Sequence, residues 1–507
     1  MKILLLFIAL VGLIPRCAHL FNSNYYILGV DSYLFHHLAQ YPQNPLVAVK
    51  GYPWHSGITY PVYVISRIVG IEAASCVVPL ILYLAIFILL YIFVSRYWGK
   101  LTAIATVITW ALIPHSGIIT ATGYLDRDAL SIMLYLLALV VILAWPHTLW
   151  KHMIGLVIVV VMAITQWAQW HLAGGLIVMS IPVVVIGYRI MVAMNMKLSI
   201  ISLTLIGGIV YGFTRIAILV MGINTEDIGE MQSIRLADVF LYFGWSVPLV
   251  ILGVYAVIKK PDHKLAVIVI MLIVSIASAA VVSRVLLFAV PTACILAGVG
   301  ANFALSKYQE IGGYDTLKTH VARLVIGMLI VTIIAVSSWA TITLQGNHRM
   351  APDSDWQKAL RYINSDTPHD AKVACLTNYN YWVVDLSNRV PLTKAAFRGH
   401  IDHIIELYMA KDPMEFIDVM QQIECDYFIC STWEYDNKYV IERMATISGL
   451  YQDLNYNESV VYETLHGQYS ELPVAYRNDT VIIIGSIARD CPGHQTSPAE
   501  RFEPAPR

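Results

Sequence analysis

The sequence predicts a multi-pass α-helical membrane domain followed by a mixed α/β soluble domain, and three observations carry that prediction. The first is composition. Of the 507 residues 58% are hydrophobic and only 13% are charged, where a soluble domain is usually about a quarter charged, and the mean hydropathy is +0.64. The second is run length: from residue 1 to about 345, apolar stretches of roughly 17–25 residues recur, the length a bilayer core demands. The third is a change of texture after "TITLQGNHRM", beyond which the chain is charged, aromatic and mixed in period, as a soluble α/β domain is. The expected boundaries are 1–345 for the membrane domain, 346–490 for the soluble domain and 491–507 for a disordered tail. That tail, "CPGHQTSPAERFEPAPR", is polar and Pro-rich, with too little apolar surface to offset the entropy of ordering.

Charge and cysteines exclude more than they suggest. A formal net charge of -1 gives no footprint for a nucleic-acid partner. The seven cysteines contain no CxxC pair. Cys425 and Cys430 are candidates for a bridge if their domain faces an oxidising compartment.

Eleven spans are expected, at about 3–21, 73–95, 101–119, 129–146, 152–168, 173–189, 198–221, 238–258, 265–283, 285–305 and 321–344. Basic residues cluster in alternate loops: Arg96 and Lys100, then Lys151, then Arg189 and Lys197, then Lys259, Lys260 and Lys264, then Lys307, Lys318 and Arg323. The positive-inside rule makes these loops, and the N-terminus, cytoplasmic. The other loops and the soluble domain are then extracytoplasmic, and a prokaryotic plasma membrane is the expected location. The first run, "KILLLFIALVGLI", also has signal-peptide character; with no clear small-residue cleavage site after it, it reads as an uncleaved anchor.

The outward loops hold the unusual residues, and each has a bland explanation beside the chemical one. Loop one (about 22–72) carries Asp31 in "GVDSYLFHHLAQYPQ", though acids are common at a water interface. "GYLDRDAL" carries Asp126 and Asp128; aspartate before a helix is a favoured N-cap. In an extended turn, however, residues i and i+2 point to the same side, and converging carboxylates suit hard cations such as Mg²⁺ or Mn²⁺. Glu230 lies among other acids in "GINTEDIGEMQSIRLADVF", where a solvated face is the default. Arg284, in "VVSRVLLFAVP", differs, because an arginine within an apolar stretch is costly and usually has a partner. Outward carboxylates on three loops and one semi-buried arginine make a candidate site for a metal and a pyrophosphate.

Longer motifs accompany these residues. "GVDSYLFHH", "GYLDRD", "DIGEMQSIRLADVFLYFG" and "SRVLLFAVP" follow one another along the membrane domain. "VACLTNYNYWVVDLSNRVPLTK" and "IECDYFIC" follow in the soluble one. To about residue 450 the chain resembles the catalytic subunit of oligosaccharyltransferase, a membrane glycosyltransferase of the GT-C class. The resemblance implies a GT-C fold, with Asp31, Asp126 and Asp128 as ligands of Mn²⁺ or Mg²⁺. It implies Arg284 on the lipid pyrophosphate, and Asp31 and Glu230 holding and polarising an acceptor amide. The donor it implies is a polyprenyl-linked, dolichyl-type glycan and the acceptor a polypeptide asparagine, with the spans forming a lipid groove.

The acceptor side departs from that family. Its WWDYG motif is "LTNYN" here, residues 376–380, keeping Tyr379 and placing Asn378 where the family has aspartate. The Ser/Thr of the flexible-loop motif is Asp227, and the secondary acceptor motif survives only as "MATI", Met444 to Ile447. Asn378, Tyr379, Met444 and Ile447 are the expected acceptor contacts. A GT-C transferase with another acceptor is therefore the first alternative. A lipid-linked sugar transporter is a weaker one, since transporters place ionisable groups at mid-membrane between inverted repeats. A non-catalytic relative is a third. Two formal sequons, at Asn457 and Asn478, are what chance allows in such a stretch.

Overall fold

The computed structural model describes residues 2–22, 30–40, 58–125, 128–144, 242–281, 283–311, 352–376, 379–392, 401–436, 458–467 and 471–486, with a few isolated positions elsewhere. The spans expected at 152–168, 173–189 and 321–344 lie outside these residues, as does most of 198–221. The chain divides into two compact units, Met1–Ala351 and Pro352–Arg507.

In the first unit the described helices begin with α1 (Lys2–Asn22), α2 (Val30–Gln40), α3 (Thr59–Val69), α4 (Ile71–Trp98), α5 (Lys100–Leu112), α6 (Pro114–Ile119) and α7 (Asp128–Ala144). After them come helices Val247–Lys259, His263–Ala279 and Ala289–Ile311, the last entered through a 3₁₀ turn at Ser283–Phe288. Among the described residues two helices, Ile71–Trp98 and Val285–Lys307, are long and apolar enough to cross a bilayer. Four shorter apolar helices accompany them. They fall at the spans expected near 73–95, 101–119, 129–146, 238–258, 265–283 and 285–305. At 1.5 Å per residue α4 runs about 42 Å, beyond a hydrocarbon core of about 30 Å. Gly70 and Gly99 bracket it with φ of +86° and +88°, a backbone region that a side chain strains.

The span expected at 101–119 is in fact two helices. Pro114 has no N–H to donate and pushes Ile113 into an extended conformation (φ -60°, ψ 125°), so α5 stops at Leu112 and α6 starts anew. Sequence run length alone does not show this break, because Ile113 and Pro114 do not lower the hydropathy enough.

Glycines set the packing of helix Ala289–Ile311 against helix Val247–Lys259 and against α5. A Cβ on Gly253 would fall 2.0 Å from the Leu296 carbonyl oxygen, and one on Gly300 2.0 Å from that of Leu249. One on Gly298 would meet Thr106 Oγ1 at 2.2 Å and the Thr102 carbonyl at 2.6 Å. These backbones touch, which is how helices gain dispersion energy in lipid, where burying apolar surface brings nothing. Exposed Val77, Ile81, Ile88 and Ile92 form an apolar stripe along α4.

The second unit is a mixed five-stranded sheet with helices against it. Its strands are β1 (Lys372–Ala374), β2 (Val390–Pro391), β3 (Tyr427–Ser431), β4 (Val474–Arg477) and β5 (Val481–Gly485), in the order β2-β1-β3-β5-β4. β1 is parallel to β2 and β3, while β5 is antiparallel to β3 and β4. "YFICS" and "VIIIG" are apolar without alternation because β3 and β5 are buried along their whole length. Helix Ser354–Asp366 starts at Asp353, whose side chain accepts from the amides of Asp355 and Trp356. It buries Trp356, Ala359, Leu360 and Ile363, one helical face.

Three sequence features resolve here as structure. Arg389 is fully buried and donates to the carbonyls of Thr367 (2.7 Å), Asn364 (2.8 Å) and Ser387 (3.1 Å), so it ties the first helix to β2. Asn388 before it takes a left-handed φ of +50°, which asparagine tolerates. Cys425 and Cys430 are both free thiols and cannot pair. Cys430 lies within β3 and Cys425 precedes it, and the strand from Tyr427 to Cys430 alone spans about 10 Å, against the roughly 4.4–6.8 Å between Cα atoms that a disulfide needs. The Asn478 amide is engaged too, accepting from Thr480 N and Val481 N and donating to the Asp355 carbonyl in the β4–β5 turn.

Candidate active site

The loop before α7 is pinned at three places by three other helices. Thr122 donates its N–H (2.9 Å) and its hydroxyl (3.1 Å) to the carbonyl of Arg16 in α1. Gly123, at φ +75°, donates its N–H to the carbonyl of Ser75 in α4 (3.2 Å). Leu125 donates its N–H to Ser32 Oγ in the first turn of α2 (2.8 Å). The last bond matters most for function. It joins the backbone of the residue before Asp126 to the side chain of the residue after Asp31, and so ties the stretch before α7 to the start of α2.

Asp128 opens α7 in its first turn and is half-buried. There the unpaired N–H groups and the helix dipole favour a negative charge. Asp31 lies in the first turn of α2, where the same argument holds for its backbone position. The 3₁₀ turn Ser283–Phe288, which contains Arg284, packs on α7 through the rings of Phe288 and Tyr135, 5.4 Å apart. Asp128 lies seven residues before Tyr135 and Arg284 four before Phe288, so both positions precede that contact along their helices. The backbones carrying Asp31, Asp128 and Arg284 thus belong to elements bonded or packed to one another. Asp126, Glu230, Asn378, Met444 and Ile447 lie outside the described residues. Among the described residues no group of three or more His, Cys, Asp or Glu side chains gathers as a metal site.

In the second unit Tyr379 is 6% exposed, packed between Trp356 (ring centroids 4.3 Å apart) and Trp382 (5.2 Å). Its hydroxyl lies 3.4 Å from Ser431 Oγ. Trp433, 41% exposed, approaches it edge-on at 6.5 Å. Behind Ser431 sits Glu434, fully buried. Its carboxylate accepts from the Ser431 amide (2.8 Å), the Ser431 hydroxyl and the Tyr408 hydroxyl (3.0 Å). Burial pushes the Glu434 carboxyl up to about 7, with those bonds opposing the rise. Nothing in "STWEYD" marks that acid as buried, because it lies in the first turn of a short helix whose burial only the sheet determines.

A prediction follows for Glu434. Its folded-state value lies above the ordinary 4.5, so the folded state binds the proton more tightly than the unfolded chain. Below about 4.5 the acid is protonated in both states and costs nothing. As pH rises to about 7 the second unit loses up to about 3 kcal/mol, then levels off. Urea titrations from pH 4 to 8 should show this fall, and Glu434→Gln should flatten it.

A helical unit followed along the chain by a mixed α/β unit is similar in fold to solved oligosaccharyltransferase structures. The solved structures agree on the fold. The archaeal oligosaccharyltransferase AglB of Archaeoglobus fulgidus, in complex with an inhibitory peptide and a dolichol-phosphate, matches at a TM-score of 0.64 and 13% identity, over 87% of this chain and 70% of its own. Tethered to an acceptor peptide containing the NVT sequon, that transferase matches at 0.64 and 12%, over 95% and 73%. In complex with Zn and sulfate it matches at 0.62 and 13%, over 87% and 69%. ArnT of Cupriavidus metallidurans bound to undecaprenyl phosphate matches at 0.53 and 12%, over 96% and 98%. No protein-family model matches the sequence.

Proposed function

We propose that the chain is an integral membrane glycosyltransferase. It moves a glycan from a polyprenyl-(pyro)phosphate lipid to an acceptor outside the membrane, with protein asparagine the first acceptor to test. The observation that carries this reading is the Leu125–Ser32 bond, which supports a common centre for Asp31, Asp126 and Asp128. Oxygen-rich donors of this kind fit a hard divalent cation. The three carboxylates would hold Mn²⁺ or Mg²⁺, which, when bound, supplies Lewis-acid stabilisation of negative charge on a leaving phosphate. Arg284 donates to the second phosphate. Asp31 and Glu230 accept from the acceptor amide and orient its nitrogen, a poor nucleophile that depends on positioning. The lipid tail lies along apolar helix faces. The AglB structures with a sequon peptide and with Zn, and both transferases with polyprenyl phosphates, support this assignment.

In this reading residues 1–345 form the membrane domain with a cytoplasmic N-terminus, and 346–490 an extracytoplasmic domain, in a prokaryotic plasma membrane. Acceptor contacts fall to Asn378, Tyr379, Met444 and Ile447. One observation favours a different acceptor: Tyr379, the residue kept from WWDYG, is buried between two tryptophans rather than presented to a peptide. The test is an acceptor screen. Purified protein with polyprenyl-pyrophosphate glycan and Mn²⁺ is offered an Asn-x-Ser/Thr peptide library and hydroxyl acceptors, and products are read by mass spectrometry. A glycosylated asparagine is expected. Sugar transferred to a hydroxyl alone would make the chain a GT-C transferase of another acceptor class, and no donor cleavage with any acceptor would remove the glycosyltransferase reading.

A further inference from the structure

Arg16 lies deep in an apolar helix, and its guanidinium is fully buried. A buried cation is costly unless its donors are satisfied, and each of its nitrogens has a partner. Nε donates to Thr120 Oγ1 (2.7 Å). Nη1 donates to the carbonyls of Gly12 and Ala111 (3.1 Å to the latter). Nη2 donates to Ser116 Oγ (2.9 Å) and, more weakly, to the Trp110 carbonyl (3.5 Å). The guanidinium carbon stands 3.9 Å from the centre of the Tyr83 ring. These acceptors are all neutral oxygens.

The choice of partners follows from the break at Pro114. In an unbroken helix the carbonyl of Trp110 would accept from the N–H of residue 114, which proline lacks. The last carbonyls of α5 therefore need other donors: Ser116 Oγ meets that of Trp110 at 2.5 Å, and a cation suits a helix C-terminus electrostatically as well. Arg16 takes two of them, holds Ser116 and Thr120 of the α6 segment, and with its own carbonyl receives Thr122. One residue thus fixes both ends of the segment from Trp110 to Thr122. Three residues past Thr122, Leu125 meets Ser32, and Asp126 follows.

We propose that Arg16 is a positioning residue for the carboxylate centre: by clasping residues 110–122 it sets where the chain bearing Asp126 and Asp128 meets the one bearing Asp31. The inference rests on the function proposed above. Arg16 touches no substrate in it and acts only through the loop.

Lysine at this position keeps the charge and loses the fork, and Thr122→Val removes one hydroxyl bond to the Arg16 carbonyl with little change of volume. Full-length protein in nanodiscs would be studied by hydrogen exchange over residues 120–128 and by Mn²⁺ binding with electron paramagnetic resonance. Both variants are expected to speed exchange in this peptide at least threefold and to raise the half-saturating Mn²⁺ concentration, about tenfold for Arg16→Lys, with donor KM within threefold of wild type. If Arg16→Lys does not fold, Thr122→Val alone decides. Unchanged exchange and Mn²⁺ affinity in folded variants, with wild type binding Mn²⁺ and cleaving donor, would overturn the proposal and leave the carboxylate centre standing. Absent Mn²⁺ binding and donor cleavage in wild type would remove that centre, and the proposal with it.

Discussion

Alanine at Asp128 is expected to abolish glycan transfer while leaving the protein folded. Losing a carboxylate that bears charge stabilisation for a leaving phosphate should lower the rate at least about 10³-fold. The fold should feel it little. Asp128 sits half-exposed in the first turn of α7, where a lost acidic residue costs about 0.5–2 kcal/mol. The loop before it stays tied through Thr122, Gly123 and Leu125, none of which uses the Asp128 side chain in these bonds. Asp126→Ala and Glu230→Ala should behave alike. Donor cleavage and peptide transfer, measured beside thermal unfolding, check this; wild-type rates in the Asp128 variant would sink the carboxylate mechanism.

Valine at Gly300 is expected to prevent the membrane unit from assembling. Its Cβ would sit 2.0 Å from the Leu249 carbonyl oxygen, a backbone atom that cannot rotate away. Helices Val247–Lys259 and Ala289–Ile311 would have to part, losing contacts along their length. The cost should exceed about 3 kcal/mol, beyond ordinary overpacking because no side chain can yield. Gly208→Ala is the control, since among the described residues nothing lies within 4 Å of its would-be Cβ. There a helical glycine-to-alanine change should be neutral or stabilise by up to about 1 kcal/mol. Yield of monodisperse protein and its unfolding temperature separate the two outcomes. Equal behaviour would mean the two helices are not in backbone contact.

What could be read from the residues depended on how local the cause was. Apolar run length alone places a helix near 73–95, and the helix found is Ile71–Trp98, because membrane thickness and the flanking glycines act on that segment by itself. The helix and strand around "IECDYFIC" are similarly local, a buried run of β-formers after an amphipathic helix. The split of 101–119 depends on one proline, and the α5 carbonyls it affects are met by Ser116 within the segment and by Arg16 of α1, a long-range partner that no window shows. Arg16 carried the same signal as Arg284, an arginine in an apolar run, yet its partners come from residues about a hundred positions away. For the site, "GYLDRD" suggests an acidic turn, but the bond that ties Leu125 of that stretch to α2 is made by Ser32, a residue with no motif of its own. The acid Glu434 was equally hidden, since sequence does not say that β3 and its neighbours close over it.

Mn²⁺ binding to the purified protein tests most directly whether Asp31, Asp126 and Asp128 form one centre. Electron paramagnetic resonance titration of wild type should give one Mn²⁺ per chain, with each of Asp31→Ala, Asp126→Ala and Asp128→Ala weakening it at least tenfold. Wild-type protein that binds no Mn²⁺, or binding indifferent to Asp31, would mean that the two loops joined at Ser32 and Leu125 do not share a cation and that the proposed chemistry is wrong.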